Sequence, residues 1–317
     1  MTKSPLGLPR HDSSSVTVSA PAKINLILRI LDRRPDGYHN LWSIMQTIAL
    51  EDELRIQLSP QAGEIRLTCD SQTLAVDRSN LVYKAASAVL DRAHQAVGLN
   101  IELCKRIPMG AGLGGGSSDA AATIVGLDRL LQLGWSKAQM AEIGQSLGSD
   151  VPFFLFSPSA VVAGRGEAVK PITLEGRRWV LLVNPGFGVE TKWAYQELAA
   201  TREVVRPLSA GHAELDQHEV ISWAQLAAAA ENDFEAPVFA RHAMLREIKQ
   251  TLRAQGAELA LLSGSGATVF GVFHDESAAR HAHTQFARDT RLNVFVVSTC
   301  SKPLSVAVRT GAEPAHG

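Results

Sequence analysis

A chain of 317 residues is too long for one small core and suits two domains. With 31 basic against 32 acidic residues, its formal charge of −1 argues against a nucleic-acid-binding surface spread over the whole protein. No apolar run reaches the roughly 20 residues that span a membrane, and Cys69, Cys104 and Cys300 lie far apart, without paired spacing for zinc, as suits a reduced, cytoplasmic compartment.

Residues 1–15 carry no apolar segment of a secretory signal and read as a disordered lead-in. Val16 to Ala20 alternates as a strand, and Ile24 to Leu31 is a second apolar run. Lys23 and Asn25 are two apart, so on a strand both leave the same face. A lysine in such a run is either a snorkelling edge residue or a buried cation with a partner. Leu54 to Leu58 and Ile65 to Cys69 alternate on either side of Gly63, which predicts a hairpin. Residues 80–96 have helical periodicity, and Leu99 to Leu103 is strand-like.

The run that follows is the most telling. Five of the seven residues from 110 to 116 are glycine, and Ser117 and Ser118 lead directly into an apolar-periodic helix ending near Leu133. No packed core needs so much glycine, which costs conformational entropy and fills no space. A glycine loop opening a helix presents backbone N–H groups and the positive end of the helix dipole, an anion site most often used for phosphate. A flexible linker would not be wedged between a strand and a strong helix. There is no lysine after the last glycine as in a Walker A loop, and no dinucleotide spacing. Ser136 caps a predicted helix over 137–147, which Gly148 ends. Asp150 then sits before an apolar run; it is either a turn residue or a buried carboxylate that requires a cation or hydroxyl as partner.

A second unit begins near Arg178 with the buried strand Trp179 to Val183. Helical stretches are expected around 191–200, 221–230 and 238–255. Leu259 to Leu262 and Val269 to Phe273 flank Ser263, Gly264, Ser265 and Gly266 as two strands joined by a glycine turn. A helix over Ala278 to Asp289 and a strand over Val294 to Val297 complete the unit, and residues after Ala307 read as a loose tail. Strands interleave with helices without strict alternation, so the fold class is α+β, with domains at 16–172 and 173–307 and a tail at 308–317.

Three segments, in this order, carry a family resemblance: Pro21-Ala22-Lys23-Ile24-Asn25-Leu26, Pro108 to Ser118, and Leu262 to Ala267. Together they resemble the motifs of the GHMP small-molecule kinases. The resemblance implies two domains with mixed and antiparallel sheets and an active-site cleft between them. It implies ATP, its phosphates held by Pro108, Met109, Gly110, Ala111, Gly112, Leu113, Gly114, Gly115, Gly116, Ser117 and Ser118. It implies Mg²⁺ near Ser117 or Ser118, with Ser118 as the contact, and no full protein cage. Asp150 would be the base that takes the hydroxyl proton, Lys23 would hold it ionised, and Asn25 would add a neutral hydrogen bond. Asn80 and Lys105 would reach the adenosine side; the bland reading of Lys105 is a solvated strand edge.

The segment Arg33-Arg34-Pro35-Asp36-Gly37-Tyr38-His39-Asn40-Leu41, with Gln46, the triple glycine and the Gly148 to Phe153 run, is similar to one branch of that family. That branch phosphorylates a hydroxyl on the methylerythritol part of a cytidine diphosphate-linked substrate in the non-mevalonate isoprenoid pathway. Tyr38, His39 and Tyr195 would then read the base, with Trp193 an equal candidate to Tyr195. Asp119, in the first turn of the loop helix, is expected to point outward. The expected partner is that small molecule, with no nucleic acid and no membrane, on a monomer or homodimer. The rival readings are a relative acting on homoserine or a mevalonate-type alcohol, and a non-catalytic nucleotide- or RNA-binding relative.

Overall fold

The computed structural model describes residues 15–309 apart from positions 36, 203, 205 and 303. The expected lead-in (but for Ser15), Asp36, and residues 310–317 of the expected tail lie outside the described residues.

The two apolar runs at the start form one strand, β1 (Ser15–Arg33), paired antiparallel with β2 (His39–Ser59). Proline lacks a ladder N–H, and the pairing slips between Pro21 and Ala22 and again between Asn25 and Ile27. Lys23 and Asn25 lie between these two slips, the kind of irregularity that re-aims side chains beside functional sites.

The expected hairpin does not form. β3 (Ile65–Cys69) lies parallel to β4 (Gly98–Cys104), and β4 takes the edge of β2 instead. Leu99, Ile101 and Leu103 bring buried apolar surface to that edge, and helix α1 (Leu81–Ala93) supplies the crossover that parallel strands require. Strand β5 (Ser159–Gly164) pairs with the first half of β2 and with β6 (Ala168–Pro171).

Helix α2 (Gly115–Leu131) leaves the glycine loop and packs against β1 and α1. Helix α3 (Lys137–Leu147) has the expected Ser136 cap, completed as a capping box by Gln139. The short helix α4 (Val151–Phe156) then buries Phe153 and Phe154.

The second sheet is antiparallel throughout, in the order Leu259–Leu262, Val269–Phe273, Trp179–Asn184, Asn293–Ser298. The helix expected over 238–255 breaks at His242 into Glu235–Arg241 and Ala243–Ala254. The start of the expected tail is corrected: Ser305–Arg309 returns to the first sheet as an edge strand, with Val308 opposite Val16. Ala111 and Leu113 of the glycine loop share an apolar cluster with Leu261 and Phe270 of the second sheet, so the loop is seated by both halves of the chain. No helix among the described residues is long and apolar enough to cross a membrane.

Candidate active site

Lys23 is a buried cation with partners, only 3% exposed. Its Nζ donates to Asn25 Oδ1 at 2.6 Å and lies 3.5 Å from Asp150 Oδ2. Asn25 is fixed in turn, donating from Nδ2 to Ser43 Oγ at 2.9 Å, while that hydroxyl donates to the Ile27 carbonyl at 2.6 Å. Asp150 precedes α4 but its side chain does not cap the helix, so the carboxylate faces the cleft. The same-face reading of Lys23 and Asn25 holds, and two residues far apart in sequence meet as an ion pair.

The glycine loop is bolted to this pair. The Lys23 N–H donates to the Leu113 carbonyl at 2.9 Å. Gly112 and Gly114 have φ of +77° and +71°, where side chains are strained. A Cβ on Gly112 would lie 2.0 Å from the Ser263 carbonyl oxygen, and one on Gly114 would lie 2.9 Å from Lys23 Cγ. The glycine turn after Leu262 therefore backs the loop at van der Waals contact, with Ser263 Oγ donating to the Gly112 carbonyl at 2.9 Å. Because Gly114 offers no capping side chain, the first N–H groups of α2 have no side-chain acceptor at that end. A cradle of this kind fits the phosphates of a nucleotide.

Ser118 is the residue expected to meet the metal. The Ser118 hydroxyl is fully buried, has no partner among the described residues and does not line the cleft, whereas Ser117 does. Among the described residues no group of three His, Cys, Asp or Glu could hold a metal.

Asp119 is corrected: it is buried and points inward. Its Oδ2 lies 2.7 Å from Lys105 Nζ, and the same ammonium is hydrogen-bonded to Asp52. Asp52 also accepts from the backbone N–H groups of Arg106 and Ile107 at 2.5 and 2.9 Å. Burial pushes the Asp119 carboxyl up to about 7, against the pull of Lys105. Burial by itself would lower the Lys105 ammonium, but Asp119 and Asp52 outweigh it and hold it above the ordinary lysine value. Lys105 is therefore neither a solvated edge residue nor a side chain open toward a nucleotide; it sits under the loop with both carboxylates. The Asn80 amide is likewise engaged locally, accepting from Val82 N at 2.8 Å and donating to Ala75 O at 2.7 Å as the cap of α1.

The cleft encloses about 890 Å³ and is lined by Lys23, Asn25, Asp150, Gly112, Gly114 and Ser117 together with Tyr38, His39 and Tyr195. His39 stacks on Tyr195 with centroids 5.0 Å apart and planes 22° apart, and Phe234 meets Tyr195 edge-on at 4.8 Å. Arg165 lies 3.8 Å over the ring of Tyr38. Burial, and then the Asp150 charge, push the Tyr195 phenol up to about 12. Burial, followed by the charges of Arg33 and Arg202, holds His39 below its usual value. Trp193 does not line the cleft; it packs under Arg241 at 4.4 Å, which leaves Tyr195 as the ring in place. Gln46 is a buried tie, accepting from Ser159 Oγ at 2.5 Å and donating to the Cys300 carbonyl at 2.8 Å. Sequence reasoning missed Ser43, Arg165 and the segment from Glu231 to Glu235. The only signal there was an Asn-Asp turn pair between two helices.

The chain matches the model described as GHMP kinases N terminal domain over residues 80–158 and that described as GHMP kinases C terminal over 213–290. It is 42% identical over 269 residues to a protein of Citrifermentans bemidjiense named 4-diphosphocytidyl-2-C-methyl-D-erythritol kinase, covering 85% of this chain and 93% of that one. A crystal structure of 4-(cytidine 5'-diphospho)-2C-methyl-D-erythritol kinase superposes with a TM-score of 0.72 at 33% identity, covering 89% of this chain and 98% of that one. A homoserine kinase of Cytophaga hutchinsonii shares the fold, with a TM-score of 0.70 at 17% identity over 95% of this chain and 99% of that one. Sequence identity sustained along nearly the whole chain, on the same fold, places it in the GHMP kinase family of small-molecule kinases.

Proposed function

We propose that the chain transfers the terminal phosphate of ATP to a hydroxyl on the methylerythritol part of 4-(cytidine 5'-diphospho)-2-C-methyl-D-erythritol. The observation that carries this reading is that one cleft holds both the Lys23–Asp150 pair at 3.5 Å and the stacked His39–Tyr195 rings. Homoserine and mevalonate offer no base for such a stack, whereas a cytosine does. The names of the relatives point to the same substrate.

Phosphoryl transfer is mostly positioning and charge neutralisation. The acceptor hydroxyl lies against Asp150, which takes its proton as the oxygen attacks the terminal phosphorus. The bond from that phosphorus to the bridging oxygen breaks, ADP leaves, and Asp150 later releases the proton to water. Lys23 orients the carboxylate and offsets charge gathering on the transferred group, and Asn25 holds the Lys23 ammonium in place. The N–H groups of the loop and the start of α2 hold the nucleotide phosphates without reorganising during the reaction. Mg²⁺, when bound, would neutralise the phosphate oxygens beside Ser117.

Turnover measured with ATP and each of the cytidyl substrate, mevalonate and homoserine decides the acceptor; turnover of mevalonate but not of the cytidyl substrate would overturn the reading. Asp150→Asn is expected to lower kcat by about 10²–10⁴-fold, the usual worth of a general base, with ATP affinity nearly intact. Unchanged turnover in that variant would remove Asp150 from the reaction.

A further inference from the structure

The run Glu231-Asn232-Asp233-Phe234-Glu235 ties together three parts of the site. Its backbone is braided onto β1: the Leu28 N–H donates to the Glu231 carbonyl at 2.8 Å, and the Asp233 N–H donates to the Leu28 carbonyl at 2.9 Å. Its side chains are all engaged. Glu231 meets the buried Arg29 at 2.6 Å, and Asp233 meets Arg29 at 3.3 Å and Arg202 at 2.8 Å. Phe234 backs Tyr195, and Glu235 accepts from the Leu262 N–H at 2.9 Å.

Asn232 is the distinctive member. It is buried, and its Nδ2 donates to two carbonyls of the glycine turn, Leu262 O and Gly264 O, both at 2.8 Å. Its Oδ1 accepts from the Phe234 N–H at 2.9 Å, which fixes which way the amide faces. That turn is intrinsically loose, since Gly264 and Gly266 have φ of +56° and +100°. Its other side presses on the phosphate loop, through Ser263 Oγ to Gly112 O at 2.9 Å and the Thr268 N–H to Ala111 O at 3.2 Å. The loop in turn holds Lys23 through Leu113. The contacts therefore close a ring: β1, phosphate loop, glycine turn, Asn232, and back to β1 five residues beyond Lys23.

We infer that Asn232 is a positioning residue for phosphoryl transfer, holding the glycine turn so that the phosphate loop keeps its distance from Lys23 and Asp150. This rests on reading the cleft as an ATP-dependent kinase site. The side-chain amide carries two N–H donors on one nitrogen and so can hold both carbonyls at once. An aspartate of the same shape would face them with acceptors, and a serine could satisfy at most one.

The test uses the full chain carrying Asn232→Asp or Asn232→Ser. The readouts are titration with MgATP in the absence of acceptor, kcat and KM for both substrates, and thermal unfolding. In folded Asn232→Asp, ATP affinity is expected to fall at least tenfold and kcat at least tenfold, with acceptor KM within twofold of the parent. Asn232→Ser is expected to lie between. A folded Asn232→Asp that binds ATP within twofold of the parent overturns the proposal. So does a loss of kcat that only follows the folded fraction at unchanged ATP affinity, since that would be structural support alone. If Asn232→Asp does not fold, Asn232→Ser and Ser263→Ala decide by the same ATP readout. Because the titration needs no acceptor, an error about the acceptor alcohol would appear in the turnover assays and leave this result standing.

Discussion

Asp150 is the only carboxylate among the described residues that line the cleft, and Lys23 is the ammonium beside it. Neither residue type is informative alone, because a buried charge anywhere in a protein needs a partner. What marks the pair is its place, beneath a loop made for anions and facing open space. In the same cleft the ring of Tyr195 carries the argument for a base, and its worth can be measured. Stacking of a base on an aromatic ring contributes about 1–3 kcal/mol. Tyr195→Ala should therefore raise KM for the cytidyl substrate by about 5- to 150-fold and leave KM for ATP unmoved. The phenol, held at about 12 by burial and by Asp150, stays neutral at any practical assay pH, so Tyr195→Phe should keep KM within about threefold. Equal losses in both variants would assign the effect to the hydroxyl and end the stacking role. The sequence made Tyr195 and Trp193 indistinguishable, because two positions apart on one helix differ only in which face they present, and packing decides that face.

At the scale of elements, what is local was legible and what is a competition between elements was not. The loop, the Ser136 cap and the two strands around the glycine turn each rest on a few neighbouring residues, and each stands where expected. The hairpin through Gly63 failed because β2 had two possible partners, and the buried leucines and isoleucine of β4 won its edge. Such tertiary choices override turn signals and strand propensity. The same distinction separates glycines that look alike in sequence. Gly110 has φ of +63°, yet the nearest atom to an added Cβ is 3.8 Å away, while at Gly112 that Cβ would lie 2.0 Å from the Ser263 carbonyl. Gly110→Ala should thus cost only the strain of an alanine in the left-handed region, about 1–2 kcal/mol in stability, and keep most of the ATP affinity. Gly112→Ala must push the loop off the glycine turn and should lower ATP affinity at least tenfold, as read by nucleotide titration. Similar affinities in the two variants would show that the contact with the second sheet does not shape the loop.

For the molecule as a whole, the chain is folded so that the two larger sheets among the described residues meet at the loop, with the strand Ser305–Arg309 returning to pair with β1. Charge buried beneath the loop ties stability to pH. Asp119, Lys105 and Asp52 sit together beneath the loop, and the outward reading of Asp119 failed because nothing in the sequence revealed that Lys105 would be drawn under the helix to meet it. Folded Asp119 keeps its proton up to about pH 7, because burial opposes its charge, whereas an unfolded aspartate releases it near 3.8. Between those values the folded state binds more protons than the unfolded one. The contribution of Asp119 is therefore complete below about pH 4, declines as pH rises toward 7, and is flat above that. A shift of this size corresponds to a loss on the order of 4 kcal/mol across the window. Asp119→Asn removes the titration while still accepting from Lys105. Its thermal midpoint, measured against the parent from pH 4.5 to 8, should therefore gain by several degrees as pH rises to about 7 and then hold level. A difference between the two proteins that stays constant over that range would mean that Asp119 is already ionised at the acid end, and that the ammonium of Lys105 outweighs the burial of both carboxylates.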